Sequence, residues 1–309
     1  MPGHRTPTLW RTQNFLRDSQ LAARLVARSA IRATDVVYDL GAGIGVLTAA
    51  LARRAGRVIA LEKDETLYAH LQARFADDPK VTVRLADILT HPLPRADYAV
   101  FASLPFDITS AVLRKLTSAQ VPPRDAYLVL QREAAERYLG RPRQTLAALL
   151  IAPWFSVDIV HRFACYDFVP VPAVDVVLAR LRKRGPPLVR IREAQSYRDF
   201  LVTCFAEWRP TVGRSLSDTL GPRISTRLLR AAEIDPSARP SEIPLAAWLR
   251  LFRYFAELPD GITRTVAGAE ERLRRRQRRA RKVYRSHVPR DALCRLRCPE
   301  RNRVPPRLA

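Results

Sequence analysis

Three glycines at alternating positions, Gly41, Gly43 and Gly45, follow a short apolar run that ends at Asp39, and a second apolar run, Val58 to Leu61, ends at Glu62. Leu47, Thr48 and the alanine-rich stretch behind them take up a helical period, so the segment reads as a strand turning sharply into its helix. Glycine suits such a turn and lets a ligand lie against bare backbone. A dinucleotide fingerprint, G-x-G-x-x-G, would need its third glycine at position 46, where valine stands. One acid before the turn and another after the second run suit a ligand that carries a cation and hydroxyls. S-adenosylmethionine has both, an amino group for Asp39 through water or backbone and ribose hydroxyls for Glu62. On these residues alone, a glycine-rich turn in some other α/β protein stays open.

A second cluster, Ser103-Leu104-Pro105-Phe106, stands where the fourth strand of such a sheet would end. The exocyclic amine of a nucleobase is a poor nucleophile because its lone pair is conjugated with the ring. Two acceptors off the ring plane can hold its N–H groups and localise that pair towards an electrophilic methyl. The Ser103 hydroxyl and the Leu104 carbonyl could be that pair. Pro105 stiffens the loop and Phe106 offers a stacking surface. No strong general base is needed, because the methylated amine is acidic enough to lose its proton to water. Such a four-residue pattern is also a common structural arrangement at a strand end.

Composition narrows the substrate. The chain has 309 residues and a formal charge of +23, carried almost wholly by arginine. A phosphate backbone rewards that charge through counterion release, and guanidinium groups both fork onto phosphate and stack on bases. Arginine-rich genomic bias is the bland alternative. Cys165, Cys204, Cys294 and Cys298 form no C-x-x-C pair, so neither a zinc site nor a disulfide framework is indicated. The N-terminal stretch has no hydrophobic run of signal-peptide type and no later stretch approaches a membrane span, which leads us to expect a cytoplasmic protein with no metal.

The elements that must position these residues are legible as alternating strands and helices. A helix is expected over Ser19 to Ala33, then helix at Leu47 to Arg54 and at Glu65 to Phe75. The strand Val81 to Leu85 ends beside Asp87, another acid at the carboxyl edge where ligands bind in such sheets. Residues 97 to 106 form the next strand and its exit, followed by helix from Ile108 to Leu116. Strands near Ala126 to Gln131, Phe155 to Ala164 and Val174 to Leu181 complete six or seven in all. Between the last two, YDFVPVPAVD reads as a proline-stiffened loop holding Phe168. The pattern predicts an arm over 1–18, a catalytic α/β unit over 19–181, a helical unit over 188–258 and an arginine-rich tail over 259–309 that buries little. Residues 264–309 carry 16 Lys or Arg against 4 Asp or Glu, a composition expected to be disordered alone and to engage RNA or DNA.

From about Arg11 to Leu258 the chain resembles the ribosomal RNA adenine N6-dimethyltransferase family, which includes the Erm-type resistance methylases of large-subunit RNA and the housekeeping small-subunit enzymes. The resemblance rests on Gln13-Asn14-Phe15-Leu16, Asp39 to Gly45, Glu62, Asp87, Gln131 to Arg137 and Phe168 to Asp175. It implies a Rossmann-like S-adenosylmethionine-dependent methyltransferase sheet with a small C-terminal helical domain. Gln13, Asn14, Leu16, Asp39, Gly41, Gly43, Gly45, Glu62, Asp87 and Ser103 are implied around the cofactor, with Asp87 at its adenine amino group. Ser103, Leu104, Pro105, Phe106 and Phe168 are implied around the target base, held between Phe106 and Phe168. One departure is clear: the family places asparagine where Ser103 stands. Serine is shorter and lacks an amide carbonyl, which leaves the number of methyls added open. The tail and the divergent loop look more like the Erm branch, which implies a monomeric enzyme acting on 23S RNA before ribosome assembly. Methylation in the peptidyl-transferase region then confers resistance to macrolide, lincosamide and streptogramin B antibiotics. The alternatives are a 16S dimethyltransferase of ribosome biogenesis and a non-catalytic RNA-binding homologue.

Overall fold

A computed structural model describes residues 15–205 and 210–277. Gln13, Asn14 and the arginine-rich stretch from 278 onward lie outside the described residues.

The chain begins with β1 (Phe15–Leu16) and α1 (Ser19–Ala27), then alternates β2 (Val36–Leu40), α2 (Val46–Ala52), β3 (Arg57–Glu62), α3 (Glu65–Arg74), β4 (Val81–Leu85), β5 (Ala99–Ser103), α4 (Thr109–Thr117) and β6 (Asp125–Gln131). Next come α5 (Arg132–Leu139), α6 (Leu146–Ile151), β7 (Phe155–Arg162), β8 (Phe168–Val169) and β9 (Val176–Lys183). Seven strands form one sheet in the order β4-β3-β2-β5-β6-β9-β7. The first five run parallel, and β9 pairs antiparallel with both β6 and β7. The order reverses between β2 and β5, and the glycine turn after β2 and the Ser103 loop after β5 both leave at that crevice.

Both faces of the sheet are covered, which is why its strands read as continuous apolar runs rather than alternating ones. Leu21, Leu25 and Val26 of α1 with Leu47 and Leu51 of α2 cover Val37, Val58, Phe101 and Tyr127. On the opposite face Val112, Leu113 and Leu116 of α4 cover Tyr38, Leu40, Ile59 and Val100. Alternate residues of β2 thus serve two cores. At the far edge Arg124 forks onto Asp35 at 3.0 and 2.7 Å and holds that carboxyl below its ordinary range, tying the approach to β2 to β6.

The second unit contains α7 (Ala194–Cys204), α8 (Val212–Leu220), α9 (Pro222–Ala231), α10 (Leu245–Ala256) and the short α11 (Asp260–Thr263). Its core is aromatic: Phe200 and Phe255 lie 4.5 Å apart between ring centroids, and Trp248 and Phe252 pack beside them. Leu149 of α6 enters this core, and the Tyr197 hydroxyl donates to its carbonyl at 3.1 Å, joining lobe to sheet.

Two expectations are corrected here. The stretch after Phe163 is not a free loop, because β8 pairs antiparallel with β1, Phe168 opposite Leu16 and Val169 opposite Phe15. The tail does not begin at 259 either. Val266, Ala269 and Glu270 are buried, and a helix runs over 269–277. The Asp199 carboxylate, itself buried, accepts the Gly268 and Glu270 N–H groups at 3.0 and 2.8 Å, capping that helix from α7. A cap supplied from another element is invisible to local periodicity.

Candidate active site

The glycine turn adopts backbone that other residues avoid. Gly43 has φ +57°, and a Cβ there would come within 2.8 Å of the Phe15 ring, so β1 can lie over the turn only because the side chain is absent. The turn is tied to β3 by the Gly41 and Ala42 N–H groups, which donate to the Leu61 carbonyl at 2.9 and 3.0 Å.

Asp39 is fully buried at the floor of this turn. Its Oδ2 accepts from Thr48 Oγ1 at 2.6 Å, whereas Oδ1, equally buried, meets no hydrogen-bond donor among the described residues. Burial, with Glu62 nearby, pushes its pKa up to about 7 against the opposing pull of Thr48. A buried acceptor with one open oxygen fits a cationic amino group, directly or through water. Thr48 was passed over in the sequence because a threonine in an apolar helical run looks like packing; its place nine residues after an acid that precedes a glycine turn was the available signal.

Glu62 is held by three backbone donors. Oε2 accepts from Gly43 at 2.9 Å, and Oε1 from Lys63 and Asp64 at 2.8 and 3.0 Å. A carboxylate has about four acceptor positions, so roughly one is left for a ribose hydroxyl, already aimed by the fold. Asp87 stands across the crevice. Its Oδ1 accepts the Leu89 N–H at 2.7 Å and its Oδ2 lies 3.6 Å from Lys63 Nζ. Glu62, Lys63, Asp87, Ile88, Leu89 and Phe106 line a cleft of about 510 Å³, which is within the range of small-molecule sites. The orphaned Asp39 oxygen, the fixed Glu62 and this volume together fit S-adenosylmethionine.

Ser103 closes β5, and Leu104 turns into the apolar core with little exposure. Ser103, Leu104, Pro105, Phe15 and Leu16 surround a second cavity of only about 40 Å³, space for a few waters and far below a nucleobase site. Gly41 and Pro105 line both cavities, so the two adjoin there. The structure therefore brings Gly41, Glu62, Asp87, Pro105 and Phe106 around one cleft, with Ser103, Leu104 and Leu16 around the adjoining cavity. Phe168 is not brought to either. It is 1% exposed, with its ring 5.0 Å from Phe163, because pairing of β8 with β1 turns it into the core. A base sandwiched between Phe106 and Phe168 is absent from this arrangement; Phe168 acts here as a packing residue. Among the described residues there is no cluster of His, Cys, Asp or Glu able to hold a metal, and no helix is long and apolar enough to cross a membrane.

The family model for ribosomal RNA adenine dimethylase matches residues 11–257, spanning the sheet, the crevice and most of the helical lobe. The chain belongs to the ribosomal RNA adenine dimethylase family. This methyltransferase is 32% identical over 262 residues to the ribosomal RNA small subunit methyltransferase A of Opitutus terrae, covering 81% of the chain and 93% of that relative. It is 30% identical to the protein of the same description from Bacillus mycoides, over 77% of the chain and 88% of the relative. Among solved structures, the 23S rRNA methyltransferase ErmE superposes with a TM-score of 0.71 at 30% identity, covering 78% of the chain and 98% of ErmE. A dimethyladenosine transferase from Plasmodium falciparum shares the fold, with a TM-score of 0.69 at 20% identity. The family methyltransferase uses S-adenosylmethionine, and its sheet and helical lobe are those of the fold expected from the sequence.

Proposed function

We propose that the chain methylates the N6 amine of an adenine in small-subunit, 16S, ribosomal RNA, using the cleft between Glu62, Asp87 and Phe106 for the cofactor. The observation that supports this chemistry best is that Gly41 and Pro105 line both spaces, so the acid-lined cleft adjoins the cavity lined by Ser103 and Leu104. When bound, S-adenosylmethionine supplies an electrophilic methyl on a sulfonium. Asp39, buried beneath the turn, acts on the amino group through water or backbone, Glu62 receives a ribose hydroxyl, and Asp87 the purine amine. The Ser103 hydroxyl and the Leu104 carbonyl accept the N–H groups of the target adenine and draw its lone pair out of conjugation. Phe106, half-buried at the cleft, stacks on the base, and alignment rather than acid–base chemistry provides most of the rate. In the described conformation the base has no room beside Ser103, so its entry displaces Phe15 and Leu16 of β1.

The subunit is supported by the small-subunit description of both relatives, at 30 and 32% identity over more than three quarters of the chain. A second reading, methylation of 23S RNA with macrolide-lincosamide-streptogramin B resistance, is favoured by the 30% identity to ErmE. Transfer of radiolabelled methyl to naked 16S and 23S transcripts and to isolated subunits separates the two. Label in the small-subunit RNA alone supports the first reading, label in 23S RNA alone supports the second, and label in neither, beside an active relative, refutes both and leaves an RNA-binding homologue.

A further inference from the structure

The loop that follows β4 carries Asp87, Ile88 and Leu89 into the cofactor cleft, and it is pinned from behind by a single side chain. Lys115, in the last turn of α4, donates through Nζ to the Ile88 carbonyl at 2.8 Å, to the Leu89 carbonyl at 3.0 Å and to the His91 carbonyl. An ammonium has three donors, and all three are used on one turn of backbone. The turn is wound so that those carbonyls converge: the Asp87 carbonyl accepts the Thr90 and His91 N–H groups at 3.1 and 2.8 Å, while its side chain accepts that of Leu89. Without a cation among them the three carbonyl dipoles would point at one another. Lys115 is the group that lets the loop hold this shape.

The same helix is the continuation of the opposite wall. Pro105, Phe106, Asp107 and Ile108 line the cleft, the Ile108 N–H donates back to the Pro105 carbonyl at 3.3 Å, and α4 starts at the next residue. Val112, Leu113 and Leu116 seat α4 on the sheet with almost no exposure. One rigid helix thus carries the Phe106 wall at its start and ties the Asp87 wall at its end, fixing the gap between them.

We infer that Lys115 is a positioning residue for purine recognition: it acts through the 87–91 turn to hold the Asp87 carboxylate at the cofactor's adenine amine. The inference rests on the proposed pairing of Asp87 with that amine. Lys115 itself does not line the cleft, so it acts on specificity without touching the ligand.

Calorimetric titration of the full chain with S-adenosylhomocysteine and with S-inosylhomocysteine, which has no adenine amine, gives the test. The wild type is expected to prefer the adenine compound at least tenfold. Asp87→Ala, which removes the acceptor, should abolish that preference; if Asp87→Ala retains it, the assignment of Asp87 fails, and with it the inference. With Asp87→Ala behaving as expected, K115M should shrink the preference threefold or more. Equal weakening towards both compounds shows a merely structural role, and a preference changed by less than threefold shows none; either overturns the inference. K115R keeps the charge, but its planar fork cannot meet three converging carbonyls at one point, so it should lie between wild type and K115M. Should K115M fail to fold, K115Q, which also lacks the ammonium, takes its place with the same threefold criterion.

Discussion

Thr48 Oγ1 donates to Asp39 Oδ2 at 2.6 Å and leaves the other oxygen of this buried carboxylate without a partner among the described residues. The pair lies beneath the glycine turn, and it makes the ligand-free site strained in a defined electrostatic sense. Burial raises the Asp39 pKa to about 7, so the folded chain holds a proton there that the unfolded chain releases near the ordinary carboxylate value of 3.8. Between those values the native state binds more protons than the unfolded one, and stability falls as pH rises. D39N, which keeps an acceptor for Thr48, removes that dependence. Denaturant unfolding at pH 5 and pH 8 should show the ligand-free wild type losing about 1 kcal/mol or more relative to D39N, each pKa unit being worth about 1.4 kcal/mol.

The same proton opposes a cationic ligand. Cofactor affinity of the wild type should rise as pH passes upward through about 7, because the amino group favours the ionised carboxylate. D39N should bind at least tenfold more weakly at pH 8 and lose this pH dependence. Calorimetry across pH 6 to 8.5 measures both.

Gly43 tests the close approach of β1 to the turn. An alanine there would be held at φ +57° with its Cβ within 2.8 Å of Phe15, so Gly43→Ala should cost about 1 to 3 kcal/mol, seen by thermal unfolding. Cofactor affinity should fall with it, since the Gly43 N–H also holds Glu62 at 2.9 Å.

Ser103 separates binding from chemistry. Ser103→Ala removes a side-chain acceptor and leaves the Leu104 carbonyl, so kcat should drop about 10- to 100-fold while cofactor affinity stays within twofold. Ser103→Asn restores the residue the family resemblance expects, and it should increase the share of dimethylated product, measured by mass spectrometry of the nucleosides.

The packed helix over 269–277 changes where the tail can be cut. Truncation after Gln277 should weaken RNA binding and flatten its dependence on salt, because arginine-rich positive charge is lost while every described residue of the lobe is kept. Truncation after Pro259 should destabilise the lobe, since it removes Val266 from the core and the two N–H groups that satisfy buried Asp199. Filter binding over a salt series, with melting curves for both truncations, checks this.

The parallel half of the sheet was readable from sequence because each βα unit is a local pattern: an apolar run, a turn and a helical period. Strand β5 lies inside the expected 97–106, and helix α4 falls within one residue of the expected Ile108 to Leu116, for that reason. What was hidden depends on partners far apart in the chain. Phe168 sits in a conspicuous proline-flanked motif, yet its pairing with Leu16 buries it. Lys115 carries no local signal of its role, because only the folded path of the 87–91 turn brings three carbonyls to it. Asp199 likewise caps a helix that begins some seventy residues further on, a partner no local pattern can show.

The central claim is that an adenine amine is methylated at the Ser103 loop by a donor held between Glu62 and Asp87. Its most direct test is nucleoside analysis of ribosomal RNA treated with the protein and S-adenosylmethionine carrying a labelled methyl. The account predicts label only in N6-methyladenosine and N6-dimethyladenosine, and its loss from the Ser103→Ala and Asp87→Ala reactions at limiting cofactor. Label in another nucleoside, or undiminished N6 methylation by both variants, would contradict it.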